Sequence, residues 1–189
     1  FYICINYSII HLMMKKIILS LLVVLAVSIQ AQSFSNGLIY LEVTNAGSTL
    51  FGSPDNQTLQ VTRISLLVSG NEYQVFDYLN DADSADTART IDEAQFGDYQ
   101  VLSVFDNRYS NSPPAYQVEL NAFGWIWESY TISHYNIINI DSNTYNAKIG
   151  FEVLPFIDND YGNEFVQYVA DGNYIRINRN QDTASTFLG

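Results

Sequence analysis

The chain has 189 residues, with eight Lys or Arg against 20 Asp or Glu, two His and one Cys, and a formal net charge of −12 at pH 7. A surface this acidic repels phosphate backbones and anionic lipid headgroups and offers no counterion-release drive, which excludes nucleic acid as a partner. The single cysteine, Cys4, leaves no intrachain disulfide and no thiolate metal site, so the fold must hold by packing alone.

Residues 1–31 read as upstream residues plus a signal peptide. Met14, Lys15 and Lys16 open a basic end, Ile17 to Val27 form an apolar run of 11 residues, and 28-SIQAQ-32 brings a small residue before the cut. Cleavage is expected after Ala31, with residues 1–13 lying upstream of the start. The apolar run is too short for a membrane span, which needs roughly 20 apolar residues, so no span is expected in the mature chain. The export machinery is then a partner, and the mature protein is expected to be secreted or held at the cell surface. Residues 32–189 keep six basic residues against 20 acidic ones, a net charge of 6 − 20 = −14. That length suits one domain, burying roughly two thirds of the surface its unfolded chain exposes.

Period-two alternation then dominates. Strand-forming runs rich in Tyr, Val, Ile, Phe and Thr lie at 38–44, 58–69, 73–79, 98–105, 116–123, 130–140, 145–153, 165–170 and 174–178. The run 145-YNAKIGFEV-153 places Tyr145, Ala147, Ile149, Phe151 and Val153 on one face. Turn-forming clusters at 52–56, 69–71, 106–114, 141–143, 158–163 and 171–173 separate the runs, and Asp171-Gly172-Asn173 is a strong hairpin signal. The stretch 80-NDADSADTARTIDEAQ-95 reads as a polar loop with one helical turn near Ile91 to Gln95. No helix of crossover length separates the strands. The fold class is therefore all-β, an antiparallel two-sheet β-sandwich, jelly-roll or Ig-like, of about eight to nine strands. The domain is expected over 32–178, with 179–189 a polar linker leading to an absent C-terminal region.

Asp158, Asp160 and Glu164 put three carboxylates within one short turn that also holds Gly162. Calcium takes six to eight hard oxygens, so this turn is the candidate calcium site, although it lacks EF-hand spacing and would have to recruit another loop. The alternative is a solvated turn in which Asp and Asn accept bonds from their own backbone. Trp125 and Trp127 are two apart and would share one face of a strand, with Tyr130 following. Exposed, the three form a stacking platform for the sugar rings of an extracellular polysaccharide; buried, they are core. Ser84, Thr87 and Thr183 each sit in an Asp-Ser/Thr-Ala setting, a candidate for O-glycosylation. His134 is the only histidine after the leader, it lies within a strand run, and neither G-x-S-x-G nor H-E-x-x-H is present. A catalytic triad is not expected, and carboxylate pairs in so acidic a chain do not mark a glycosidase.

Tyr135, Ile137 and Asn139, then Gly150 and Phe151, then Asp158, Asp160 and Gly162 form a pattern that resembles a β-sandwich accessory region of secreted Bacteroidetes cargo proteins of type IX secretion. The resemblance covers about 106–174. The spacing from Gly150 to Asp158 is longer here than in the usual form, which puts in doubt any transfer of a role to the acidic turn. The resemblance implies an accessory rather than a catalytic region, followed by a Ser/Thr-rich linker similar to 182-DTASTFLG-189 and a C-terminal sorting domain. The expected function is a non-catalytic adhesive or structural module of a larger exported protein. A carbohydrate-binding module is the alternative, and an extracellular hydrolase the third reading.

Overall fold

The computed structural model describes residues 31–70, 75–77, 83–108, 115–161, 164–171, 174–178 and 185–188. The leader and Thr183 lie outside them. The described residues form an all-β structure in which every strand pair is antiparallel. They make thirteen strands, more than the eight to nine expected: β1 (Ala31–Ser35), β2 (Tyr40–Thr44), β3 (Thr49–Gly52), β4 (Leu59–Ser69), β5 (Val75–Asp77), β6 (Asp83–Thr90), β7 (Tyr99–Asp106), β8 (Tyr116–Gly124), β9 (Thr131–Asn139), β10 (Lys148–Pro155), β11 (Phe165–Val169), β12 (Tyr174–Asn178) and β13 (Ser185–Leu188).

Three sheets result. One runs β1-β2-β3-β4-β10 with β5 added along β4, a second runs β6-β7-β8-β9, and a third runs β11-β12-β13. Alternation along β2 buries Leu41 and Val43, and along β8 it buries Tyr116, Val118, Leu120 and Ala122. These residues meet Phe34, Leu66, Val68 and Phe76 of the first sheet and Val101 and Phe105 of the second in one cluster. Each such aliphatic side chain taken fully from water contributes about 1.5–3 kcal/mol, so this shared cluster is the main source of stability. Tyr135 of β9 and Phe151 of β10, strands of different sheets, meet with ring centroids 5.3 Å apart.

Several local expectations need correction. Residues 83–90, read as loop, form β6 as an outer strand of the second sheet; Ser84, Asp86, Thr87, Arg89 and Thr90 face solvent while Ala88 is buried, and pairing with β7 overrides the low strand propensity of the segment. No helical turn forms between Ile91 and Gln95. Ser185–Leu188, expected in a linker, pairs with β12. Tyr145 to Ala147 lie outside β10, which begins at Lys148. β1 and β3 were not expected, and the cut expected after Ala31 falls at the first residue of β1.

Candidate functional site

Three chain segments converge at one end of the described structure: the β1–β2 turn, the β6–β7 connection and the β8–β9 connection. Asn36 organises them. Its side chain is only 3 % exposed, and its Nδ2 donates to the Trp125 carbonyl and to the Glu128 carbonyl, each at 2.8 Å. Its Oδ1 accepts from the backbone N–H groups of Leu38 at 3.0 Å and Ile39 at 2.8 Å. The Trp127 N–H donates to the Asn36 carbonyl at 3.0 Å. One buried amide thus fixes both its own turn and the loop that carries the tryptophans, with every polar atom of its side chain satisfied.

Trp125 and Trp127 do not lie on a strand. β8 ends at Gly124, and 125–130 form a turn in which Trp127 has a φ of 61°. The two indoles therefore do not share a strand face, and strand alternation does not apply to them. Trp125 is half-buried; its ring packs over Gly97 and lies 5.3 Å from the Tyr130 ring at an interplanar angle of 39°. A Cβ added at Gly97 would fall 2.6 Å from the Gly124 carbonyl oxygen, so the residue whose φ is +73° must be glycine for the loops to close here. The Trp127 ring lies over Gly37 and is 70 % exposed, while Tyr130 is 50 % exposed. Around them Leu38, Phe96 and Ile126 are also exposed. The floor is firm: Phe34 and Tyr99 stack with centroids 5.3 Å apart at 7°, and Phe96 meets Phe123 edge-on at 5.6 Å. The backbone of this end is held as well, since the Asp98 N–H donates to the Gly124 carbonyl and the Ile126 N–H to Asp98 Oδ2, each at 2.9 Å.

The acidic turn is built differently. Asp158 and Asn159 both take positive φ, at 55° and 61°. Asn159 Oδ1 accepts from the Leu59 N–H at 2.7 Å, Asn159 Nδ2 donates to the Gln57 carbonyl at 2.8 Å, and Asp158 Oδ1 accepts from Gln60 Nε2 at 3.3 Å. These bonds dock the turn onto the start of β4. The described residues contain no group of three or more His, Cys, Asp or Glu side chains able to hold a metal ion, so Asp158, Asp160 and Glu164 are not brought together as a ligand set. The Asp158 carboxylate instead accepts from Gln60 at the start of β4.

Ser84 and Thr87 are exposed on β6. The Ser84 hydroxyl donates to the Asp86 carbonyl at 2.9 Å, and a hydrogen bond from Arg89 holds the Asp86 carboxyl below its ordinary range. His134 is exposed on β9 opposite Asn121. The organising role of Asn36 was not legible in the sequence, because its partners are 89 and 92 residues away. No protein family, curated protein or solved structure matches this chain.

Proposed function

We propose that this chain is an exported, non-catalytic β-sandwich module that binds neutral carbohydrate through the aromatic surface of Trp127, Tyr130 and the edge of Trp125. The single observation that carries the reading is the 70 % exposure of Trp127 on a turn held by buried hydrogen bonds. Large aromatics left in water on a rigid support lose little conformational entropy on binding and present flat apolar faces to the C–H face of a pyranose. A net charge of −14 after residue 31 disfavours acidic polysaccharides, which makes a neutral glycan the fitting class. The shared core of the first two sheets supports the sandwich arrangement. The leader over Met14 to Ala31 supports export, and the resemblance of 106–174 supports a type IX cargo. Adhesion of a larger exported protein to a surface glycan is the role that joins these readings.

The test is electrophoresis of the protein through gels containing neutral glucans, mannans or xylans, beside Trp127→Ala. Retardation of the wild type that Trp127→Ala loses supports the proposal; equal mobility in every gel removes it.

A further inference from the structure

Among the described residues β10 forms the outer boundary of the first sheet, paired with β4 on one side and with no strand on the other. Such an edge carries a row of backbone donors and acceptors ready to pair with another chain, and proteins ordinarily blunt it with bulges, charges or short strands. β6 is blunted in this way: its ladder shifts register between Ser84 and Asp86 and again between Asp86 and Arg89, and its side chains are mostly polar. β10 keeps unbroken register with β4 from Lys148 to Leu154, the first shift coming only at Pro155. Its core-side residues are only partly covered by the second sheet, Phe151 meeting Tyr135 on one side. Ile149 and Phe151 stand opposite the buried Val68 and Leu66, and so share their face, yet they are 59 % and 52 % exposed.

We propose that β10 pairs with β10 of a second copy, antiparallel about a two-fold axis at Gly150. In a strand, alternate residues point their N–H and C=O groups to the same edge, so two identical edges can pair only in registers that set residues of equal parity opposite each other. Within that restricted set, one register is complementary. With Gly150 opposite Gly150, Lys148 faces Glu152 of the partner twice, and Ile149 faces the partner's Phe151 twice. Opposite charges and apolar pairs directly across a ladder are the favourable cross-strand combinations. Shifting the axis to Glu152 sets two carboxylates against each other, and shifting it to Phe151 removes the charge pairing. Pro155, which cannot donate to a ladder, falls outside the paired residues.

The other exposed edges lack this property. β1, β9, β11 and β13 hold no Lys, Arg, Asp or Glu. In β6 the equal-parity register that sets Arg89 opposite Asp83 also sets Asp86 opposite Asp86. Glu152 already bonds Arg63 in its own chain, and a carboxylate has two oxygens and accepts from both cations. Lys148 has no ion-pair partner among the described residues.

The register is tested by cysteine crosslinking in the full chain carrying Cys4→Ser. A Cβ at Gly150 would meet only Leu67 Cβ, at 4.0 Å, so Gly150→Cys fits the fold. Across the axis two such cysteines have the separation a disulfide requires. Under mild oxidation Gly150→Cys is expected to form a covalent dimer, while Thr87→Cys, at the more exposed position on β6, is not. Adding Lys148→Glu, which sets like charges opposite each other, is expected to lower the Gly150→Cys crosslink about tenfold or more. Circular dichroism of each variant establishes that it is folded. Equal crosslinking at positions 87 and 150, no crosslink at 150 in folded protein, or a crosslink insensitive to Lys148→Glu would each overturn the proposal.

Discussion

The Trp127 indole lies so close over Gly37 that a Cβ at position 37 would sit 2.6 Å from its Cζ3 atom. Gly37 also has a φ of +93°, a conformation L side chains rarely adopt. The exposed tryptophan is therefore seated by a residue 90 positions earlier, and the seat admits no side chain. Gly37→Ala is expected to destabilise the protein by about 1–3 kcal/mol through backbone strain and the clash. Urea unfolding measures this, and a shifted Trp fluorescence maximum in the folded variant reports the displaced indole.

Asn36→Ala removes four hydrogen bonds and leaves two carbonyls and two N–H groups of the aromatic end without their partner. The expected loss is on the order of 2–4 kcal/mol, larger than for one ordinary hydrogen bond because several part-buried groups are orphaned together. Hydrogen exchange should speed up most at Leu38, Ile39 and Trp127 and little in β8. A uniform increase across the core strands would instead mean that Asn36 supports the whole fold.

Tyr135 gives a pH-dependent signature. Burial pushes its phenol from the ordinary 10.0 up to about 12, partly offset by the Thr49 hydroxyl nearby. Neither hydroxyl makes a hydrogen bond of ordinary geometry. The folded protein thus keeps a proton that the unfolded chain loses above pH 10, so this contribution is fully present below pH 10 and is lost as pH rises through 12. Wild type should lose on the order of 2–3 kcal/mol more than Tyr135→Phe across that interval. At neutral pH, Tyr135→Phe should change stability by less than about 1 kcal/mol, since it deletes a buried hydroxyl with no well-formed bond.

Millimolar calcium should leave the melting temperature unchanged, because the turn is already tied to the start of β4 through Asp158 and Asn159. Asn159→Ala should lower it in either condition, since Asn159 holds Gln57 and Leu59 to the turn. A calcium-dependent rise abolished by Asp158→Ala with Asp160→Ala would restore the ion-binding reading.

The strands of the main core were legible because their burial is one-sided: Val118, Leu120 and Ala122 alternate with half-exposed Gln117, Glu119 and Asn121. β6 was not, because an outer strand that buries only Ala88 needs few apolar residues, and Asp-Ser-Ala-Asp reads as loop. β10 was legible in its face but not in its exposure. Which side chains share a face follows from period two, whereas how far the opposing sheet reaches depends on sheet order. The tryptophans were singled out by spacing for a strand geometry they do not have. Trp127 takes positive φ on a turn fixed by Asn36, a relationship between residues 36 and 127 that no local pattern carries.

The most direct measurement is a calorimetric titration of the protein with oligosaccharides of whichever neutral polysaccharide retards it, repeated with Trp127→Ala. Because Trp127 is largely in solvent, its removal should change stability by no more than about 0.5 kcal/mol, so any change in binding reads the surface itself. Saturable binding to wild type is expected, with a loss of at least about tenfold in affinity for a variant whose melting temperature is unchanged. Equal affinity in the two proteins would contradict it.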